Sequence, residues 1–191
     1  MWEQLLQWDE QTFIYLNSLG TAPYDRFWSV ITKISTWIPL FFLFGFLLFK
    51  KYHWRGALFR VLALILLAVF ITFLTDQVKD LVARLRPNNN EAINGFIRIV
   101  RSPRDYSFFS GHASSSFSIT VLVFLFLRKK WRWAFLFFIW PIFFCYSRIY
   151  VGVHYPLDII VGALVGTLSG LLFYRLFHHF IGPYLRSSHP E

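Results

Sequence analysis

Three ionisable side chains lie close together in residues 147–158, SRIYVGVHYPLD, within a chain that otherwise consists largely of long apolar runs. Arg148 precedes His154 by six positions, and Asp158 follows it by four. A histidine between a cation and a carboxylate has the parts of a nucleophile or proton carrier. Phosphoryl transfer is one reaction that needs such parts, because positive charge must stabilise the oxygens of the transferred group.

Two further clusters of reactive residue types stand earlier in the chain. The segment KDLVARLRP places Lys79 and Arg86 seven residues apart, which predicts one helical face and a separation of two turns. The segment FSGHASSSF places Ser110, Gly111 and His112 where a helix is predicted to begin. Free backbone N–H groups at a helix N-terminus bind anions, and glycine lets the anion approach closely.

Each cluster also has an ordinary structural explanation. Asp158 in the first turn of a helix is favoured by the helix dipole, and Arg148 can extend its charge to the membrane interface. Arg84 and its basic neighbours can form a fringe at the end of a span, and serine commonly caps helices. Taken together, however, the clusters supply two cationic arms, an anion site and two histidines, which favours a phosphate site with catalytic groups.

The combined residues suggest a division of chemical roles. One histidine could attack phosphorus while the other protonates the leaving oxygen. The carboxylate would orient the attacking imidazole. Lysine, arginine and backbone N–H groups would stabilise the charge on the equatorial oxygens of the phosphoryl group.

The elements that carry these residues are long and apolar. Hydrophobic residues make up 56% of the 191 residues, aromatic residues 21% and charged residues only 15%. About 20 apolar residues in a helix cross a ~30 Å hydrocarbon core, and the runs lack the alternation of strands. The sequence therefore predicts an all-α, polytopic membrane helical bundle, with a single domain over residues 1–191. About five transmembrane helices are predicted, over residues 27–49, 56–79, 111–127, 131–150 and 156–180.

Residues 1–20 differ from these runs because they are too polar to span a membrane and lack the basic start of a signal peptide. Their apolar side chains fall largely on one helical face: Trp2, Leu5, Leu6, Phe13 and Leu16. A helix lying in the membrane interface explains this pattern. A helix packed against the rest of the protein explains it about as well.

The distribution of lysine and arginine predicts the orientation in the membrane. Basic residues fill the loops after the first and third predicted spans and the tail: Lys50, Lys51, Arg55, Arg128, Lys129, Lys130, Arg132, Arg175 and Arg186. That side is expected to be cytoplasmic, so the three clusters face the periplasm or exterior of the cell (inner) membrane. Cations kept on this outer side indicate an anionic ligand. The net charge of +9 suits anionic headgroups of a lipid bilayer, and no basic soluble domain is present to bind nucleic acid.

The three segments together resemble the signature of the type 2 phosphatidic acid phosphatase family, lipid phosphatases related to vanadium haloperoxidases and glucose-6-phosphatase. Its first motif is a lysine, six residues and Arg-Pro, which Lys79 and Pro87 delimit here. Its second motif usually reads Pro-Ser-Gly-His, and this chain has Phe109 in place of the proline. That change is expected to affect the shape of the loop more than the chemistry. The third motif matches throughout, from Ser147 to Asp158.

The resemblance implies a role for each matched residue. His154 is the nucleophile that forms a phosphohistidine, Asp158 positions it, and His112 is the general acid for the leaving group. The remaining residues of the motifs hold the phosphate: Lys79, Arg86, Ser110, Gly111 and Arg148. The family uses no metal or cofactor, and the acidic residues here lack the clustered spacing of a two-metal phosphatase. Asp76, three residues before the lysine, is expected to form an ion pair with it.

The substrate implied by the resemblance is a phosphate on a membrane lipid. Compact bacterial members of the family hydrolyse undecaprenyl pyrophosphate, phosphatidylglycerophosphate, phosphatidate or the 1-phosphate of lipid A. Undecaprenyl pyrophosphate is favoured, by analogy alone. The loop of residues 88–109 is expected to determine the choice of headgroup.

Two other functions remain open at this point. The protein could be a phosphotransferase that passes the phosphoryl group to another lipid instead of water. It could also be a catalytically silent protein that binds or transports a lipid phosphate. The intact set of His112, His154 and Asp158 argues against the silent protein.

Overall fold

The computed structural model describes residues 1–188, and within that range it contains helices and no strand, which confirms the all-α fold class. Residues 189–191 of the predicted domain lie outside the described residues. The helices are α1 (Trp2–Ser18), α2 (Asp25–Ile31), α3 (Ile38–Lys51), α4 (Trp54–Val82), α5 (Gly111–Leu127), α6 (Ile139–Tyr150), α7 (Pro156–Leu176) and α8 (Gly182–Ser188). A π-helical turn, Phe177–Ile181, joins the last two.

Four helical segments in the described part of the chain are long and apolar enough to cross a bilayer: Ile34–Lys51, Trp54–Asn89, Arg132–Tyr150 and Pro156–Leu185. Helix α5 is equally apolar but has only 17 residues. At 1.5 Å per residue it is about 26 Å long, close to the thickness of the hydrocarbon core. Its side chains are mostly buried because it lies between α4 and α7.

The first predicted span, residues 27–49, is divided in the structure. Helix α2 ends at Ile31, a turn with Lys33 in an extended conformation follows, and a new helical segment begins at Ile34. Pro39 lies in the first turn of α3, where its missing N–H costs no hydrogen bond. The polar residues Thr32 and Lys33 stand at the break, between the apolar stretches on either side.

Helix α1 packs against the bundle along one face. Asp9, Phe13 and Asn17, which follow one another at intervals of four residues, are completely or almost completely buried. Trp2, two turns before Asp9 on the same side of the helix, is 68% exposed, and Trp8, on another face, is 48% exposed. The helix therefore docks on its own protein, and its exposed tryptophans suit contact with a membrane interface.

Helices α5 and α7 approach each other at backbone distance. Three glycines of α7 face three serines of α5, in the pairs Gly162 with Ser110, Gly166 with Ser114 and Gly170 with Ser118. A Cβ on the first glycine would lie 2.7 Å from the facing carbonyl oxygen, and a Cβ on the third 2.9 Å. Small residues at such positions let membrane helices pack closely. The contact brings the N-terminal ends of both helices together at one end of the bundle.

Candidate active site

The third motif folds into the end of α6, a short turn and the start of α7. Pro156 is the first residue of α7, and Asp158 caps the helix by accepting a hydrogen bond from the Tyr155 N–H at 3.0 Å. The same carboxylate oxygen, Oδ2, lies 3.4 Å from Nδ1 of His154. Both side chains are buried, with exposures of 1% and 0%. The local sequence thus fixes the imidazole one turn before its carboxylate.

The hydrogen bonds around His154 define its tautomer. Nε2 lies 2.9 Å from Nη1 of Arg86, which also donates to the carbonyl oxygen of Val153 at 2.9 Å. A guanidinium has only donors, so Nε2 must accept and the ring proton must reside on Nδ1, facing Asp158. The lone pair of Nε2 therefore points toward the cationic side of the site, where an anionic substrate would bind.

Burial lowers the pKa of His154 well below its ordinary value, and the charges of Arg86, Arg148 and Lys79 lower it further. A neutral imidazole is the form that can attack phosphorus. The site therefore keeps the imidazole of the expected nucleophile unprotonated at neutral pH.

The first motif does not form one helical face, so that prediction is wrong. Helix α4 ends at Val82, and Ala83 adopts a left-handed conformation with φ of 51° that turns the chain away from the helix axis. Lys79 remains on the helix, while Arg86 lies in the following loop just before Pro87. Because the chain turns, the arginine reaches the histidine of the third motif.

Asp105, which was not among the predicted site residues, connects the two cations of the first motif. Lys79 pairs with its Oδ2 at 2.5 Å, and Arg86 donates to the same oxygen at 2.8 Å. The lysine therefore pairs with Asp105, and the expected partner Asp76 instead lines the cavity beside it. Partial burial raises the pKa of Asp105, but the hydrogen bonds and charges of Arg86 and Lys79 outweigh it and leave the pKa below its ordinary value.

The second motif opens α5 as its sequence predicts. Ser110 is the N-cap, and its hydroxyl accepts from the Ala113 N–H at 3.4 Å. The backbone N–H of Ser110 donates to the carbonyl oxygen of Asp158 at 2.9 Å. The N–H groups of Gly111 and His112 belong to the first turn of the helix, where helical geometry offers them no partner.

Two residues of the predicted set come close to His154 from other helices. His112 lies within electrostatic range of His154, Arg148 and Arg86, and its ring packs 4.7 Å from that of Phe144. Arg148 is 5% exposed, and its Nη1 donates to Oγ1 of Thr32 at 2.5 Å. Nε of this arginine has no hydrogen-bond partner among the described residues, so a donor is available to an anion.

The charged site opens between α4 and α5. A cavity of about 270 Å³ is lined by Asp76, Lys79, Asp80, Asp105 and Tyr106. A neighbouring cavity of about 160 Å³ is lined by Ile71, Thr72, Thr75, Asp76, Lys79, Gly111 and Ser115. Both cavities include the lysine and the second reaches the glycine of α5, so Lys79 and the start of α5 are accessible from this side.

Arg84 was interpreted from sequence as part of a basic fringe, but the structure gives it specific partners. It donates to Oδ1 of Asp158 at 2.8 Å and to Oδ2 of Asp9 at 2.7 Å, and its guanidinium lies 4.0 Å from the ring centroid of Tyr155. Asp9 also accepts from the Leu157 N–H at 2.8 Å. The one signal in the sequence was a carboxylate four residues before Phe13 on the apolar side of α1.

Two arginines of the loop of residues 88–109 have partners within the protein, so their presence has a structural explanation. Arg98 pairs with Asp25 at 2.8 Å, and Arg101 donates to the carbonyl oxygen of Ser29 at 3.3 Å. These contacts attach the loop to α2. Its expected influence on headgroup choice stays a prediction.

Comparison with known proteins gives a consistent result. A family model described as the PAP2 superfamily matches residues 56–181. A lipid A 4′-phosphatase of Bacteroides thetaiotaomicron is 34% identical over 182 residues, covering 93% of this chain and 80% of the relative. An undecaprenyl-diphosphatase of Sulfolobus acidocaldarius is 37% identical over 173 residues, covering 89% of this chain and 79% of the relative.

A solved structure has the same fold. The crystal structure of a transmembrane PAP2-type phosphatidylglycerolphosphate phosphatase from Bacillus subtilis superposes with a TM-score of 0.72 at 20% identity. The match covers 93% of this chain and 88% of the other. At this identity the likeness concerns the fold alone.

The environment of His154 predicts the acid limb of the pH–rate profile. Because burial and the neighbouring cations lower the pKa of His154, kcat/KM should persist as the pH falls through about 6.5, the ordinary histidine value. Activity should be lost only at lower pH, where the imidazole gains its proton. Arg86→Gln removes one of the cations, so the acid limb should move to higher pH.

The profile is measured with one soluble phosphate ester, so that ionisation of the substrate is the same for every variant. Arg26→Gln, which removes an exposed cation of α2, is the matched control and should leave the limb in place. A wild-type limb above pH ~6.5, or an unmoved limb in Arg86→Gln, would contradict the assignment.

Proposed function

Because this chain belongs to the PAP2 superfamily and is a membrane lipid phosphatase, we propose that it cleaves its substrate through a phosphohistidine on His154. The family resemblance drawn from the motifs is confirmed. The observation that carries the proposed mechanism is the tautomer of His154, with Nδ1–H toward Asp158 and Nε2 beside Arg86. This arrangement aims a neutral lone pair at the place where cations would hold a phosphate.

The proposed reaction has two steps. In the first, Nε2 of His154 forms a bond to phosphorus while the bond to the lipid oxygen breaks, and His112 gives that oxygen a proton. In the second, water attacks the phosphohistidine, His112 takes a proton from the water, and His154 leaves with its electron pair restored. Asp158 stabilises the positive charge that the imidazole carries between the two steps.

The phosphate oxygens would be held by donors from α4, the loop after it, the start of α5 and the end of α6: Lys79, Arg86, Ser110, Gly111 and Arg148. The unpartnered Nε of Arg148 and the first N–H groups of α5 support this assignment. Ser110 can contribute its hydroxyl proton, because its backbone N–H already donates to the carbonyl oxygen of Asp158. Preorganised donors of this kind supply most of what phosphoryl transfer requires.

Two lipid phosphates are candidate substrates. We favour a phosphomonoester on a lipid A-type sugar, because the Bacteroides relative is a lipid A 4′-phosphatase and aligns with 93% of the chain. Undecaprenyl diphosphate, the substrate expected from the sequence, is the second candidate and is supported by the Sulfolobus relative. Phosphate release from both, by purified protein in detergent with and without a chelator, tests the choice. The family's expected independence of metals and cofactors predicts equal rates in the two conditions.

The role proposed for His112 predicts that its loss affects the two types of substrate differently. A sugar phosphate releases a poor leaving group that needs a proton, whereas a diphosphate or p-nitrophenyl phosphate releases a stable anion. His112→Ala should therefore reduce kcat/KM, which reports the leaving-group step, by about 10²- to 10⁴-fold on the sugar phosphate and less on the other substrates. The value of kcat should fall on every substrate, because the same residue also activates the water that hydrolyses the phosphohistidine.

His179→Ala, in the π-helical turn that follows α7, is the control for loss of a histidine and should keep full activity. Equal losses of kcat/KM on all three substrates in His112→Ala would show that this residue is not the general acid. Substantial turnover by His154→Ala would remove the covalent mechanism itself.

The protein spans the membrane several times, and we propose that it lies in the cell (inner) membrane with the site facing the periplasm or exterior. The basic loops at the opposite end support this orientation. Asn89 and Lys129 are both exposed and lie at opposite ends of the bundle. A cysteine at Asn89 should react in intact cells with a thiol reagent that cannot cross membranes, and a cysteine at Lys129 should not. The reverse pattern would place the site in the cytoplasm.

A further inference from the structure

A buried chain of ion pairs extends from His154 to the N-terminal helix. Asp158 contacts the imidazole with Oδ2 and accepts from Arg84 with Oδ1, at 2.8 Å. The same guanidinium donates to Asp9 of α1 at 2.7 Å. Both carboxylates have side-chain exposures of 0%, and the arginine is 21% exposed. The catalytic carboxylate is therefore connected, through one arginine, to a residue that lies about 150 positions away in the chain.

Every oxygen of the two carboxylates has a defined partner in this chain of contacts. Oδ1 of Asp9 accepts from the Leu157 N–H at 2.8 Å, so Asp9 holds the first turn of α7 as well as the arginine. Asp158 is held on the other side by the Tyr155 N–H. A carboxylate fixed at both oxygens cannot rotate away from the imidazole that it orients.

The charges of Asp158, Arg84 and Asp9 do not cancel. Arg84 alone would offset the charge of Asp158 and leave the imidazole facing a neutral pair. Asp9 supplies a second negative charge, so two carboxylates share one guanidinium and a net charge of −1 remains. Arg86 contacts Nε2 on the other side of His154, and the positive charges of Arg148 and Lys79 also act on the ring, which becomes positive when it attacks phosphorus. Uncompensated negative charge behind the ring stabilises that state.

The ionisation of Asp9 itself depends on this arginine. Burial raises the pKa of Asp9, and the hydrogen bond from Arg84 opposes the rise, followed by that from the Leu157 N–H. The carboxylate and the guanidinium therefore support each other inside the protein, as buried charges generally must.

We infer that Asp9 is a positioning residue of the active site, acting through Arg84 to hold the orientation and negative charge of Asp158 behind His154. Helix α1 then helps to position the catalytic residues, in addition to exposing apolar side chains to the membrane. The inference rests on the proposed phosphohistidine mechanism, because it assigns Asp9 to the support of that nucleophile.

The test is the kinetics of Asp9→Asn, which keeps the size of the side chain and removes its charge. We expect kcat to fall about 10- to 100-fold, the effect of one lost charge-assisted hydrogen bond, while KM changes less than about twofold. The loss should be equal on p-nitrophenyl phosphate and on an alkyl phosphate, because the nucleophile serves both. His112→Ala, in contrast, should lower kcat/KM less on the first of these substrates than on the second.

Glu10→Gln is the matched control, since it removes the same charge from the adjacent position of α1, where the side chain is partly exposed. It should have wild-type kcat and the same thermal midpoint in detergent as the wild type. Arg84→Gln and the double variant with Asp9→Asn complete a cycle. If Asp9 acts through Arg84, the double variant should be no slower than Arg84→Gln alone.

Three results would overturn the inference: wild-type kcat in Asp9→Asn, a loss confined to KM, or losses that add fully in the double variant. Should Asp9→Asn fail to fold, Arg84→Lys tests the same connection, because lysine lacks the planar fork that reaches both carboxylates at once. Wild-type kcat in that variant would also overturn the inference. A wild-type protein inactive on every lipid phosphate would instead contradict the proposed function.

Discussion

The site depends on the close backbone contact between the N-terminal ends of α5 and α7. The Ser110 N–H donates to the carbonyl oxygen of Asp158 at 2.9 Å, which joins the residue before one helix to the first turn of the other. Gly162 lies one turn further along α7, and a Cβ there would lie 2.7 Å from the carbonyl oxygen of Ser110. A larger residue would push the helices apart. His112 and His154, the proposed general acid and nucleophile, would then no longer face one phosphate.

The electrostatics of the site follow from placing unlike charges on the two sides of one buried imidazole. Burial lowers the pKa of His154, and so do the charges of Arg86, which contacts Nε2, and of Arg148 and Lys79. Asp158 lies on the side of Nδ1. A bound phosphate dianion would offset the cations, so the ring becomes most nucleophilic when substrate is present. Binding and activation of the nucleophile are thereby coupled through charge.

The sequence was sufficient for the parts of the site that depend on local spacing. His154 and Asp158 stand four residues apart around a proline, so the chain could be expected to place them one helical turn from each other. The partners of Arg84 could not be predicted in this way, because Asp158 and Asp9 lie 74 and 75 residues from it in the sequence. The left-handed conformation of Ala83 could not be predicted from the sequence either, since glycine or asparagine is the usual signal for it.

Direct trapping of the covalent intermediate is the decisive measurement for the account. His112→Ala should form the phosphohistidine from p-nitrophenyl phosphate and hydrolyse it slowly, because the base that activates water is missing. Rapid quenching in alkali followed by peptide mass spectrometry should find one phosphoryl group, on the imidazole of His154, and none in the variant that also carries His154→Ala. A phosphoryl group on any other residue, or turnover of wild-type protein with no labelled peptide at any time point, would contradict the account.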